Sequence, residues 1–391
     1  DRIWINPGED IDGDGIYTAA DIDSIDNDGN GYIDDIVGID FAGPTLTSGG
    51  TYYDNNPDPT PTGHPHGTHV AGIAAATGDN GKGIAGLAFN CRIMPVKIGA
   101  DSYSPNLTRG YDGIVYAADN GAHVINCSWG RAGGYLESEK ERIDYAISKG
   151  AVVVAAAGNS GREGIHTPGS YPNVLCVANT TSEDKAAAST TYGPWVDVSA
   201  PGSEILSCVI SSQSAYQKFT GTSMASPLVA GLAALVRSVK PEFSVRQVTE
   251  QIRVTSDPID ELQNSRYHGK IGRGRVNAYR ALTASSPAVR LIDWSISDSI
   301  YGNGDGFPDQ GEKLTVTMTW ENLLEPTTDA VITLSSPSIR VTTIEQLRAA
   351  GFGHERYAEM AGRTRAELLA AGTTKGMQIN LGPQRTPEES R

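Results

Sequence analysis

Cysteine is scarce: four residues in 391, Cys91, Cys127, Cys176 and Cys208. Each lies in or beside an apolar run, and none has metal-ligand spacing. That excludes a disulfide-built scaffold and a zinc ribbon, and it predicts buried free thiols. Long hydrophobic runs are also lacking, so no membrane span is expected. No export signal is visible where the chain opens Asp1-Arg2-Ile3-Trp4. Basic residues are thin: 31 Lys and Arg stand against 46 Asp and Glu, for a net charge of −15. Residues 1–63 carry fourteen acidic side chains and a single base, Arg2, while the rest of the chain is close to neutral. Such a balance argues against nucleic acid and for cations.

What is present begins with those acids. Asp10, Asp12 and Asp14 alternate ahead of Gly15, and Asp21 stands at the twelfth position. Oxygens at positions 1, 3 and 5, a turn glycine at 6 and a carboxylate at 12 are the pattern of a calcium loop. Asp26, Asp28, Asn30, Gly31 and Asp34 form a second version, with Val37 where the closing carboxylate would be. Like charges this dense repel one another without a counter-ion, so structural calcium is expected. A third candidate loop runs from Asn303 to Glu312.

Phe219–Leu235 starts small and polar and turns into an apolar run. Val229, Leu232, Ala233 and Val236 recur at helical spacing, which predicts a buried helix. Pro227 suits its first turn. Ser223 stands at its mouth, where free N–H groups and the positive dipole end favour developing negative charge. A second polar entry into a helix is His64-Pro-His66-Gly-Thr-His69, with His66 just outside the helix and His69 one turn inside. The spacing is not the i, i+4 pair of a helical zinc site. A general base at a helix start fits better.

Between residues 91 and 178 strands alternate with helices. Strands are predicted at Cys91–Ile98, His123–Cys127, Ala151–Ala157 and Val174–Ala178, and helices at Leu107–Asn120 and Glu137–Lys149. Near-continuous Val, Ile and Ala runs between helices predict an α/β fold, a mostly parallel sheet covered on both faces. Active groups in such sheets gather at strand carboxyl ends. Ser128-Trp129-Gly130 closes one strand there, and Gly158-Asn159-Ser160-Gly161 closes another. Asn159 can present its amide to a developing oxyanion.

From Val289 the pattern changes to period two, with Leu314, Val316, Met318 and Trp320 on one face. Residues 289–340 therefore predict a small β-sandwich-like module. Residues 341–391 turn alanine-rich and charged, which predicts a helical or disordered tail.

His66-Gly-Thr-His-Val-Ala-Gly72, Ala155-Ala-Ala-Gly-Asn159 and Gly221-Thr-Ser223-Met-Ala-Ser-Pro227 together resemble the subtilase family of serine peptidases. The resemblance spans about residues 1–285, with residues 1–63 as an acidic insertion and 64–285 as the catalytic domain. It implies a subtilisin-like fold and a secreted endopeptidase acting on proteins or peptides. Ser223 is then the nucleophile, His66 the general base and Asn159 the oxyanion donor. Ser128-Trp129-Gly130 resembles the strand that pairs with substrate and lines the pocket for the residue before the cut, and Gly158 is a further expected substrate-binding residue. Asn6-Pro7-Gly8-Glu9 and Asp28–Asp35 resemble the insertion of calcium-binding bacterial members. The family's Asp-Ser/Thr-Gly turn, which carries its catalytic aspartate, is not found. The expectation is a chain cut just downstream of that turn and nearly inert alone. Asp40, ending a short apolar run, is a weak substitute. An α/β-hydrolase esterase would need Gly-x-Ser-x-Gly, and the chain has Gly221-Thr-Ser-Met-Ala225. The remaining alternative is an inactive homologue or calcium-stabilised binding scaffold.

Overall fold

The computed structural model describes residues 2–43, 53–59, 63–101, 106–212, 215–297, 299, 304, 314–326, 331–333, 367–369 and 377–379. Two units emerge, Asp1–Ala284 and Ser285–Arg391.

In the first unit the chain runs in order through β1 (Ile39–Asp40), α1 (His66–Ala75), β2 (Val96–Lys97), α2 (Gly110–Asp119), β3 (Val124–Cys127) and β4 (Arg131–Ala132). Next come α3 (Glu137–Ser148), β5 (Val152–Ala156), β6 (His166–Thr167), β7 (Leu175–Thr180) and β8 (Val198–Pro201). β9 (Ile205–Cys208), β10 (Tyr216–Phe219), α4 (Thr222–Val239), α5 (Val245–Val254) and α6 (Ala278–Thr283) complete it. The main sheet is parallel, in the order β3-β5-β7-β8. β1 and β2 pair in parallel beside it in sequence, and β9 and β10 form an antiparallel hairpin.

Alternation along β5 shows how two layers of helix share one sheet. Val152 and Val154 join Val229, Leu232, Ala233 and Val236 of α4 in one core. Val153 and Ala155 point the other way, into a core with Ile114 of α2 and Ile143 of α3. Every one of these side chains is at most 1% exposed. Burying each of the valine, leucine and isoleucine side chains is worth about 1.5–3 kcal/mol. α4 is therefore central to the fold, and α1 crosses it closely. Gly231 permits that approach, since a methyl group there would lie 2.9 Å from the Ala74 carbonyl oxygen.

α4 also departs from an expectation. With 18 residues and a mean hydropathy of 1.3 it is long and apolar enough to cross a membrane. Most of it is buried inside the protein, which makes it a core helix instead. Among the described residues no other helix meets that length and composition. The predicted strand Cys91–Ile98 shrinks to Val96–Lys97 plus one bridge between Ile3 and Ile93. The helix expected from Leu107 starts only at Gly110, because Arg109 takes a left-handed conformation with φ 52°. α5 begins where a capping box forms between Ser244 and Gln247. All four cysteines are free thiols.

In the second unit β11 (Val289–Ser297) and β12 (Leu314–Asn322) pair antiparallel. Three short strands follow: β13 (Val331–Thr333), β14 (Glu367–Leu369) and β15 (Met377–Ile379). β15 adds to β12, and β14 pairs with β13. The described parts of the tail are thus strands, where its alanine-rich composition predicts helix or disorder. Helix propensity differs by only tenths of a kcal/mol per residue, and ladder pairing overrides it here. The third candidate cation loop, apart from Gly304, lies outside the described residues.

Candidate active site

Ser223 is the second residue of α4, half-buried at the helix mouth. Its hydroxyl donates to the Ser128 carbonyl at 3.2 Å. The Ser128 hydroxyl donates back to the Ser223 carbonyl at 2.8 Å. Behind this pair, Asn126 Nδ2 donates to Ser128 Oγ at 3.0 Å, and Ser226 Oγ donates to Asn126 Oδ1 at 2.7 Å. Four polar side chains thereby fasten the carboxyl end of β3 to the first turn of α4.

Asn159 follows Gly158 just past the carboxyl end of β5. Its Oδ1 accepts from the Thr222 backbone N–H at 2.9 Å and from the Thr222 hydroxyl at 3.1 Å. The carbonyl side of the amide is thus committed to the residue before Ser223. Nδ2 makes no hydrogen bond among the described residues, and the residue is exposed. The Gly158 N–H donates to the same Thr222 hydroxyl at 3.2 Å.

His66 is the first residue of α1, not the residue outside it, because Pro65 already has helical angles (φ −74°, ψ 0°). Burial, with smaller contributions from His64 and His69, pushes its pKa down to about 4. Among the described residues no carboxylate bonds to its ring. Asp40 is engaged elsewhere. It is buried, pairs with Lys97 Nζ at 2.6 Å, and accepts the N–H groups of Ala42 and Gly43. His69 is structural: its ring stacks on Phe219 at 4.3 Å, and its Nε2 meets the Gln217 carbonyl at 2.9 Å.

His66, Asn159 and Ser223 all line one cavity of about 360 Å³, with His64, Lys218 and Phe219. Three stretches that are 64 to 157 residues apart in sequence meet there. Of the expected substrate-binding residues, Ser128 touches Ser223, and Gly158 is buried beside Thr222. Trp129 is half-buried, edge-on to Tyr111 at 5.3 Å. Gly130 is exposed, covered on one side by the ring of His166, a residue the sequence did not single out.

The acidic segment forms two clusters, each with oxygens within 4.8 Å of one another: Asp10, Asp12 and Asp21, and Glu9, Asp26 and Asp28. Asp14 and Asp34, expected as ligands, stand outside both, while Asn30 lies against the second. Asp14 caps the Ile16 N–H at 2.7 Å. Asn30 Nδ2 bonds to Asp28 and Asp35. Asp34 turns inward to accept the N–H groups of Asp23 and Ser24. Glu9 joins the second cluster, which sequence spacing missed because Glu9 comes from a separate turn. Asn6-Pro7-Gly8-Glu9 was its only signal. Glu9 is fully buried, and burial raises its pKa above the usual range. Its Oε1 accepts from Asn27 and Asp28 N–H groups, while Oε2 has no partner among the described residues. A buried carboxylate oxygen left unpaired among other carboxylates suits an oxygen-coordinated cation.

The model of the subtilase family matches residues 37–303. A thermophilic serine proteinase from Bacillus sp. (strain AK1) is 42% identical over 252 residues, covering 63% of this chain and 60% of that protein. Thermitase from Thermoactinomyces vulgaris is 42% identical over 243 residues, covering 62% of this chain and 83% of thermitase. Among solved structures, a protease from Pseudoalteromonas arctica superposes with a TM-score of 0.51 at 33% identity, over 56% of this chain and 70% of that one. With the parallel sheet and the shared cavity already described, these matches identify the chain as a member of the subtilase family.

Proposed function

We propose that the chain is a serine endopeptidase that cleaves protein or peptide substrates through an acyl-enzyme on Ser223. The observation that carries this reading is the meeting of His66, Asn159 and Ser223 at one cavity on the N-terminus of α4. Ser223 Oγ attacks the scissile carbonyl while His66 takes its proton, then returns it to the leaving amine. Water enters next, and the same histidine serves it in the second half. Negative charge grows on the carbonyl oxygen in both halves. The free Nδ2 of Asn159 and the dipole of α4 are the groups available to meet it. Because Thr222 holds Asn159 by its other end, the amide needs no reorganisation.

Turnover by this chain is expected to be weak. Nothing among the described residues holds the tautomer of His66 or stabilises its protonated form. In relatives, the loss of that carboxylate costs roughly 10⁴ in turnover, a magnitude carried over from the family. The lack of that partner also favours a second reading, an inactive homologue acting as a binding scaffold. A fluorophosphonate probe decides between them. Covalent labelling at Ser223, seen by peptide mass spectrometry and lost in Ser223→Ala, supports the peptidase. Failure to label even after exposure lengthened to allow for a roughly 10⁴-fold slower reaction, in a chain shown to be folded, defeats it. Vigorous peptidase activity, abolished by Ser223→Ala, would show that another group orients His66.

The two acidic clusters are proposed calcium sites with a role in stability. Glu9, Asp26 and Asp28 would hold one ion, and Asp10, Asp12 and Asp21 the other. The ion would supply the positive charge these carboxylates lack and bind only the folded state. Work outside the cell, where calcium is plentiful, follows from this reading.

A further inference from the structure

The turn that carries Asn159 has little stiffness of its own. Gly158 and Gly161 bracket it, both in left-handed conformations, with φ 101° and 66°. Asn159 and Ser160 between them are exposed, so core packing does not hold their backbone. An exposed turn flanked by glycines has many conformations open to it. Thr222 grips the Asn159 side chain and the Gly158 N–H. The two peptide groups on either side of the Asn159 Cα are gripped elsewhere, by Thr191. Its N–H donates to the Gly158 carbonyl at 2.8 Å. Its Oγ1 accepts the Ser160 N–H at 3.0 Å and lies 2.9 Å from Ser160 Oγ. One residue thus holds the peptide before Asn159 and the peptide after it, and their orientation sets φ and ψ of Asn159. The Gly161 N–H, donating to the Ser189 carbonyl at 2.8 Å, closes the turn. Thr191 is itself anchored. It is 2% exposed, and its carbonyl accepts from the Thr190 hydroxyl at 3.2 Å. That hydroxyl accepts the Asn179 N–H of β7 at 3.1 Å. A chain of contacts therefore runs from the main sheet to the Asn159 turn.

We propose that Thr191 is a positioning residue for the oxyanion donor: by fixing both peptide groups around Asn159, it aims Asn159 Nδ2 at the scissile carbonyl oxygen. The proposal rests on the peptidase reading above. Thr191 does not line the cavity, so it acts through Asn159 and not on substrate. A donor stabilises developing charge most when it is already aimed and its own supports are locked. A turn without the Thr191 clamp would spend part of its time with the amide facing water.

The test measures fluorophosphonate labelling of Ser223 in the 391-residue chain over a range of probe concentrations, which separates the maximal rate from the half-saturation concentration. In that reaction the Oγ–P bond forms, the P–F bond breaks, fluoride leaves and His66 takes the hydroxyl proton. The phosphoryl oxygen gains the negative charge that Asn159 would meet. Thr191→Val removes the hydroxyl and keeps the shape. It should lower the maximal rate by about 2- to 13-fold, the equivalent of one hydrogen bond, with half-saturation unchanged. Thr191→Ser, which keeps the hydroxyl, should label at close to the natural rate. In an Asn159→Ala chain, adding Thr191→Val should cause no further loss, since the group it aims is gone. Circular dichroism verifies folding, and Thr191→Ala takes the place of the valine variant if that one does not fold. Equal losses with and without the Asn159 amide overturn the proposal, because Thr191 then supports the fold alone. A loss below twofold, a loss confined to half-saturation, or an equal loss in Thr191→Ser overturns it too. If Asn159→Ala labels as fast as the natural chain, the amide is not the donor and the proposal falls while Ser223 stays the nucleophile. If Ser223 is not labelled in the folded natural chain even on long exposure, the peptidase reading fails and the proposal with it.

Discussion

Ser223 and Ser128 hold each other reciprocally, each hydroxyl donating to the other's backbone carbonyl, at 3.2 and 2.8 Å. The nucleophile's own bond has to break before it turns to His66. The Ser128 bond positions the turn throughout. Ser128→Ala should therefore slow fluorophosphonate labelling of Ser223 by about 2- to 13-fold, the equivalent of one modest hydrogen bond. Ser128→Thr, which keeps the hydroxyl, should restore most of the rate. Equal labelling in all three chains would remove Ser128 from a positioning role.

Asn159→Ala deletes the amide without touching nucleophile or base. Turnover should fall about 10²–10³-fold with KM nearly unchanged, a magnitude carried over from this same family. Thr222→Val tests the anchor: the amide stays but loses one of its two holds, and the loss should be smaller, roughly tenfold. Steady-state kinetics on a peptide anilide separates the two. An Asn159→Ala effect confined to KM would mean ground-state binding only.

His66 stays neutral in the folded chain down to about pH 4. An unfolded histidine protonates near pH 6.5. Between these values the unfolded state binds the extra proton, so stability falls as the pH drops from about 6.5 to 4. Denaturant titrations at pH 7.5 and pH 4.5 should show this loss, and His66→Gln should reduce it. Carboxylates contribute to the same slope, so the readout is the difference between the two chains. A His66 carbon resonance titrating near 6.5 in the folded chain would contradict the placement.

Chelation tests the acidic clusters. A ligand at a hundred times its Kd adds about 2.7 kcal/mol. For a domain of this size, EDTA should then lower Tm by roughly 5–10 °C. Glu9→Gln should shrink that response while Asp34→Asn, which leaves both clusters intact, should preserve it. Equal EDTA responses in Glu9→Gln and the natural chain would exclude Glu9 as a ligand.

Leu232 is fully buried in α4, among side chains of the main sheet. Leu232→Ala should cost about 2–5 kcal/mol of stability. Urea unfolding measures it, and a change under 1 kcal/mol would mean that the core there readily collapses.

What the sequence displayed well was periodicity and punctuation. The apolar runs at Val152–Ala156 and, within β7, from Leu175 to Ala178 stand out because strands buried on both faces carry no polar break there. The α4 start was marked by small residues, but Pro227, expected in the first turn, stands inside the helix because α4 already begins at Thr222. Other features were illegible because they depend on contacts between distant segments. Glu9 joins Asp26 and Asp28 only after two loops fold together. Arg109 delays the start of α2 through an angle that its chemistry does not advertise. His166 reads as an ordinary residue near a proline until the two glycines close around it. His66 was misplaced by one position because a proline there can adopt helical angles as well as break a helix.

The rod that carries Ser223 is also the keel against which the whole parallel sheet is laid. Such a nucleophile has no soft mounting of its own. Amide hydrogens in the middle of that rod should exchange only when the entire first unit opens. Loss of labelling on heating should then follow the global melt, with no stage at which a folded molecule has already surrendered its reactive serine.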